Sequence, residues 1–490
     1  MTRTISRITA NARLLLAMLL AAVVVGVPAA AGPAEGHAKV PAIAGHTMLA
    51  DYPAIGLDPA DLRGIYGVDR IDADGTGVTV AVVGAFDAPR IEKDLATYSK
   101  AFDLPACTKA NGCLRVVYAD GHRPRARGGD WAREAALDVE MVHAIAPGAK
   151  IVLVEAPDDY NLDLAVRKTV SLKPHVVTMS WGGPEDGDTR YFESLFARRD
   201  IAFFAATGDA GHEVNWPAVA TRVVAVGGTS LADDATWETR HDTETAWDGS
   251  GGGTSAYLKE PVWQKARPGT RRSVPDVAAV GGTAISAFLD GQWLSVDGTS
   301  ASSPIWAGIA AVAAQMRGGR LVDVPKMLEA LPADAFFDIT EGTNGDCGKA
   351  CTARAGYDLV TGRGSPHAQR VIQGIVAHPD APVDTDSPTV SIDGLPRFGL
   401  FAQPVADRAI TVTIVDASPV TVATVELRDE AGSVVWSSDL SATCAMGCAT
   451  IVTVALVGRP DGRYWISVRA VDAGRNVGAS DALAKLWTHP

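Results

Sequence analysis

Between Val78 and Val226 the chain alternates short β-branched runs with amphipathic segments, and this alternation narrows the possible folds sharply. Val78-Thr79-Val80-Ala81-Val82-Val83, Lys150–Val154, Val176–Ser180, Ile201–Ala206 and Val223–Val226 read as strands. Most of these runs show no in–out polarity, as expected of strands covered on both faces of a parallel sheet. The intervening stretches 91–102, 161–171 and 188–199 have helical periodicity. The predicted fold class is therefore α/β, a parallel sheet flanked by helices. Functional groups in such sheets collect at the C-terminal ends of the strands. That places Ser180-Trp181-Gly182 and Thr207-Gly208-Asp209 on one rim.

The rest of the 490 residues divide by composition. Arg3, Arg7 and Arg13 precede an apolar run from Leu14 to Val27 and the small residues Ala29-Ala30-Ala31, so 1–31 reads as an export signal. An Ala/Gly/Pro-rich lead-in covers 32–50, and a Pro- and Asp-rich linker covers 377–388. Period-two runs at 410–414, 424–427, 451–454 and 464–468 then predict a β-sandwich over 389–490. It is expected to act as a spacer or to bind a surface or polymer. The net charge of −13 argues against nucleic acid as a partner. No later stretch is long and apolar enough for stable membrane insertion, so the mature protein is expected to be a secreted, extracellular monomer. Cys107 with Cys113, Cys347 with Cys351, and Cys444 with Cys448 form three close pairs, which in an exported chain favours disulfides over thiols or zinc.

Ser300 follows Gly298-Thr299 at the start of an Ala-rich apolar helix. A serine there is placed to cap the helix or to present its hydroxyl to a substrate, and the segment alone leaves both open. Catalysis needs a base. Glu134 and Asp138 lie four apart in a predicted helix over 131–143, so their carboxyls stack one turn apart. They form either a solvated acidic face or a pair sharing a proton. A Ser-His-Asp arrangement through His143 is disfavoured, because nine residues at about 100° each put His143 on the opposite face from Glu134. His122, His175 and His212 have no supporting pattern.

Four blocks taken together make a family resemblance specific. Glu134-x-x-x-Asp138 is followed by Ala146-Pro147-Gly148-Ala149-Lys150, and Thr207-Gly208-Asp209-Ala210-Gly211 by Val224–Thr229. Gly251-Gly252-Gly253-Thr254-Ser255 leads to Pro261–Gln264 and Val274-Pro275-Asp276-Val277, and Gly298-Thr299-Ser300-Ala301 closes the set. From about Leu57 to Pro366 the chain resembles the sedolisins, serine-carboxyl peptidases with a subtilisin-like fold. The resemblance implies a peptidase domain over 51–376 that cleaves protein or peptide substrates in acid. By it Ser300 is the nucleophile, Glu134 the general base, Asp138 its partner, and Asp209 a neutral acid in the oxyanion hole.

The resemblance further implies a calcium site made of the Asp338 and Asp358 carboxylates and the carbonyls of Ile339, Arg354 and Gly356. Such hard oxygen donors suit Ca2+. Without the resemblance these aspartates read as ordinary turn residues. Arg354 departs from the family pattern, which favours a small residue there. Typical members carry a long N-terminal prodomain, whereas only about two dozen residues separate the expected signal cleavage point from Leu57. The competing expectations are a catalytically inactive binding protein on the same scaffold and a Ser-His-Asp peptidase.

Overall fold

The computed structural model describes residues 56–378 and 389–486, apart from 128–129, 233–234, 268, 394–399, 402–406, 416–419, 441–447, 458, 461 and 473–476. The expected signal, the lead-in and nearly all of the linker lie outside the described residues. Chain entry is set by α1 (Pro59–Tyr66): Asp58 accepts the Asp61 N–H, Asp61 accepts the Asp58 N–H in return, and Pro59 occupies the first helical position.

Seven parallel strands form the central sheet: β1 (Thr79–Ala85), β2 (Leu114–Tyr118), β3 (Lys150–Ala156), β4 (Val176–Met179), β5 (Ala202–Ala206), β6 (Val223–Ser230) and β7 (Val277–Val280). Their spatial order is β7-β6-β5-β4-β1-β3-β2, with Thr245–Ala246 added antiparallel to β6. β1 pairs with β3 on one side and β4 on the other, so the winding reverses there. Along β1, Val80 and Val82 enter a core shared with α2 (Ile91–Ala101), α3 (Asp130–Ile145) and α5 (Thr299–Arg317). Ala81, Val83 and Ala85 enter the opposite core with α4 (Leu162–Ser171). Both faces are dry, which is why the strands read as unbroken apolar runs.

Three features depart from the sequence expectation. The 188–199 segment forms 3-10 turns over Thr189–Phe196, where Glu193 is tied to the Thr221 hydroxyl and amide and Phe196 packs on Phe203 and Trp216. β2 shows no clear apolar run in the sequence because it is an edge strand whose Arg115 is exposed. β7 and the hairpin β8 (Ile285–Leu289) and β9 (Gln292–Val296) are hidden behind the polar Arg271–Asp276 stretch. That stretch folds inward because Asp276 is bonded by Arg272, Arg267, Gln264 and the Ala225 N–H.

After the linker, strands Thr389–Asp393, Arg408–Val415 and Cys448–Val454 form one antiparallel sheet. Val420–Arg428, Val434–Asp439, Gly462–Asp472 and Val477–Leu486 form the main part of a second. Ile410 and Val412 share a core with Val425, Leu427, Ile466 and Val468, so the two sheets face each other. Arg463 reaches Asp188 at 3.4 Å, and Arg167 donates to the Ser480 hydroxyl at 3.3 Å, joining this part to the helical layer. No described helix is long and apolar enough to cross a membrane. The sulfurs of Cys107 and Cys113, and of Cys347 and Cys351, lie at bonding distance. Cys444 of the third pair lies outside the described residues.

Candidate active site

Helix α3 packs against α5, and this contact brings Glu134 and Asp138 to Ser300. Glu134, Asp138 and Ser300 are all buried. Burial pushes the Glu134 carboxyl well above its ordinary range, and the charge of Asp138 adds to the rise. The Ser300 hydroxyl opposes it, while Asp209 reinforces it. Ser300 is therefore close enough to act on Glu134, yet among the described residues neither Glu134 oxygen nor Ser300 Oγ has a partner in good hydrogen-bond geometry. Catalytic hydrogen bonds are often long before substrate binds. Asp138 is pushed up to about 8 by burial, against a hydrogen bond from Ser180.

The turn before Ser300 is shaped by Gly298, whose φ of 138° is unfavourable for a side chain. A Cβ there would also stand 3.0 Å from Asp209 Oδ2. Asp209 Oδ1 accepts the Thr299 N–H and the Thr299 hydroxyl, both at 2.8 Å. Thr299 Oγ1 in turn accepts the Gly208 N–H at 3.1 Å. Desolvation of the Asp209 carboxyl raises it to about 6 against the Thr299 hydrogen bonds. A protonated carboxyl there can donate to a developing oxyanion.

Pro304 lies inside α5, four residues after Ser300. Lacking an N–H, it leaves the Ser300 carbonyl without its helical donor. Ser180 Oγ stands 3.2 Å from that carbonyl and 2.6 Å from Asp138 Oδ1. A hydroxyl has one hydrogen for these two acceptors. When Asp138 is protonated it can donate to Ser180, freeing the serine hydrogen for the Ser300 carbonyl. The rim position of Ser180 was readable in the sequence, but this bridge was not. Pro304, at i+4 from Ser300, was the available signal.

Among the described residues no histidine bonds Ser300. His143 is buried with Nε2 2.8 Å from the Pro105 carbonyl, and burial lowers its pKa. His175 Nδ1 accepts the Thr79 N–H, at the opposite end of the sheet from Ser300. His122 is exposed beside Asp120, and His212 lies beside Gly253.

The residues expected to hold calcium converge on one loop. Asp338 Oδ2 accepts the Gly356 N–H at 2.7 Å, and Asp358 Oδ2 accepts the Arg354 N–H at 2.9 Å. Burial raises both carboxyls. Among the described residues no donor takes the carbonyls of Ile339, Arg354 or Gly356. Two carboxylates without a basic partner and three free carbonyls are a donor set that fits a hard cation. The same loop abuts the glycine-rich strand: the Ser250 hydroxyl donates to the Val360 carbonyl, and a Cβ on Gly252 would lie 1.9 Å from the Leu359 carbonyl.

Residues 128–331 match the sequence model of the Subtilase family. The chain is 32% identical to kumamolisin from Bacillus sp. (strain MN-32), over 62% of this chain and 61% of that protein. It is 26% identical to sedolisin from Pseudomonas sp. (strain 101), over 65% of this chain and 61% of that protein. The chain thus spans less than two thirds of these relatives. Among solved structures it is similar to Pseudomonas sedolisin complexed with two molecules of pseudo-iodotyrostatin, at 26% identity and a TM-score of 0.55. That likeness covers 66% of this chain and 98% of the solved one.

Proposed function

From the premise that this chain belongs to the sedolisin family and carries a subtilisin-like fold, we propose that it is a secreted serine-carboxyl endopeptidase acting in acid on protein or peptide substrates. The observation that carries this reading is the buried meeting of Glu134 and Ser300, with Asp138 behind and Asp209 beside it.

Ser300 Oγ attacks the scissile carbonyl carbon while its proton passes to the Glu134 carboxylate, which burial makes a stronger base than an exposed one. The carbonyl oxygen becomes an oxyanion and accepts a hydrogen bond from protonated Asp209. Glu134 then gives the proton to the amine nitrogen, the C–N bond breaks, and an ester on Ser300 remains. Water repeats the sequence, with Glu134 taking its proton and returning it to Ser300 Oγ. Asp138 keeps a shared proton beside Glu134, spreading the negative charge of the pair. Calcium, when bound by Asp338, Asp358 and the carbonyls of Ile339, Arg354 and Gly356, would neutralise the two carboxylates and hold their loop.

Asp209 must be protonated to donate, so activity is expected to fall as pH rises through about 6. The Glu134–Asp138 pair must hold only one proton for Glu134 to accept that of Ser300, so activity is expected to fall again at the acid end as the pair takes up its second proton. The test is an assay on denatured protein from about pH 3 to 8, beside Ser300→Ala and Glu134→Ala. Acid-confined activity, reduced by about a thousandfold or more in both variants, is the expected result. Activity surviving Glu134→Ala would reassign the base, and full activity well above neutrality would remove Asp209 from the oxyanion hole.

A further inference from the structure

Arg133 immediately precedes Glu134 on α3 and is half-buried. Its Nε is shut off from water without an acceptor, and among the described residues no carboxylate or carbonyl pairs with its guanidinium. The Nε atoms of Arg240 and Arg272 are likewise without a hydrogen-bond acceptor, but the terminal nitrogens of the fully buried arginines are paired. Arg240 donates to the carbonyls of Ile65 and Pro366, Arg272 pairs with Asp276, and Arg267 pairs with Asp276 and Glu329. A guanidinium stripped of part of its hydration with no counter-charge is costly to the folded state. A ligand that supplies the missing acceptor removes that cost.

Position decides which part of a substrate meets it. Glu140 lies seven residues on and so shares the Arg133 face of α3. Glu140 Oε2 accepts the Phe288 N–H at 2.9 Å, so this face looks toward the β8–β9 hairpin. The hairpin runs directly into the 297–299 turn before Ser300. Glu134, the adjacent residue, is the group that protonates the leaving amine, whereas Asp209 stands where the oxyanion forms. Arg133 is thus the chain neighbour of Glu134, on the side of α3 that faces the hairpin leading to Ser300.

Resting on the peptidase reading above, we propose that Arg133 is a specificity-determining residue that binds a carboxylate of the leaving peptide, either its terminal carboxylate or an Asp or Glu side chain. The planar guanidinium offers two parallel donors to such a group, and among the described residues no counter-ion competes for it.

The test uses two pairs of otherwise identical peptides. One pair ends in a free acid or an amide shortly after the scissile bond, and the other carries Asp or Asn on the leaving side. The wild type is expected to favour the carboxylate member of at least one pair by about tenfold or more in kcat/KM. Arg133→Gln should bring that ratio close to one, and Arg133→Lys should retain part of it. Because each ratio is taken within one variant, a general loss of activity cancels. A preference confined to the first pair assigns the terminal carboxylate, and one confined to the second assigns a side chain. A ratio near one in the wild type, or unchanged in Arg133→Gln, overturns the proposal. Calorimetric titration of the acid- and amide-ended product peptides into Ser300→Ala, with and without Arg133→Gln, reads the same ratio without turnover. Arginine-dependent binding of the acid-ended peptide by a wild type that cleaves nothing would overturn the peptidase reading and leave the carboxylate site standing.

Discussion

Ser180 and Pro304 show how one missing backbone N–H is absorbed into the site. Pro304 frees the Ser300 carbonyl, and Ser180 stands between that carbonyl and Asp138. Ser180→Ala leaves two buried acceptors with no donor from this position, at about 1–3 kcal/mol each. The expected outcome is a fall in kcat of about tenfold or more with little change in KM. The Ser180 hydrogen bond lowers the Asp138 pKa, so its loss should also move the Asp138-linked limb of the pH–rate profile to higher pH. Ser180→Thr, which keeps the hydroxyl, should recover part of the rate. Steady-state kinetics across pH checks this, and a lower kcat with an unmoved profile would make Ser180 structural only.

At the scale of the element, α3 carries three buried carboxyls, of which only Glu134 and Asp138 face Ser300. Glu140 is turned to the hairpin, where Oε2 accepts the Phe288 N–H and Oε1 is unpartnered. Burial raises its pKa well above the usual carboxylate range, and Asp94 adds to the rise. The folded state then holds a proton that the unfolded chain has released. The stability tied to Glu140 is accordingly complete below about pH 4.5 and is lost as pH rises toward its folded pKa. Glu140→Gln keeps the acceptor and removes the titration. It is expected to shrink the fall in Tm between pH 4.5 and 7.5 by a few degrees, read by thermal unfolding at matched ionic strength. An unchanged fall in Tm would show that Glu140 stays neutral or solvated in both states.

At the scale of the whole molecule, the Asp338–Asp358 loop and the glycine-rich strand form one mechanical unit through Ser250, Val360, Gly252 and Leu359. A cation bound by the loop would reach the cleft through this contact. Removing calcium with a chelator is expected to lower Tm by about 5 °C or more and to reduce activity, with calcium but not magnesium restoring both. Asp358→Asn should show a low Tm from the start and little response to chelation. A Tm indifferent to chelator in the wild type would discard the calcium assignment.

Local chemistry alone determined much of this protein. Unbroken β-branched runs belong in a doubly covered parallel sheet, the Asp58-Pro59-x-Asp61 cap starts a helix, and the Glu134–Asp138 spacing puts two carboxyls on one helical face. These follow from periods of two and 3.6 residues, which a linear chain displays directly. The edge strand β2 and the strand β7 were illegible because an exposed Arg115 and the charged Arg272–Asp276 pair break the apolar signal. Only the tertiary structure decided that Ser300 faces Glu134, that Ser180 joins Asp138 to the Ser300 carbonyl, and that Arg133 Nε finds no partner among the described residues. These contacts span residues as many as 166 apart in the sequence (300 − 134). Burial and hydrogen-bond pairing between distant segments arise only when the sheet has stacked α3 on α5, so no local pattern encodes them.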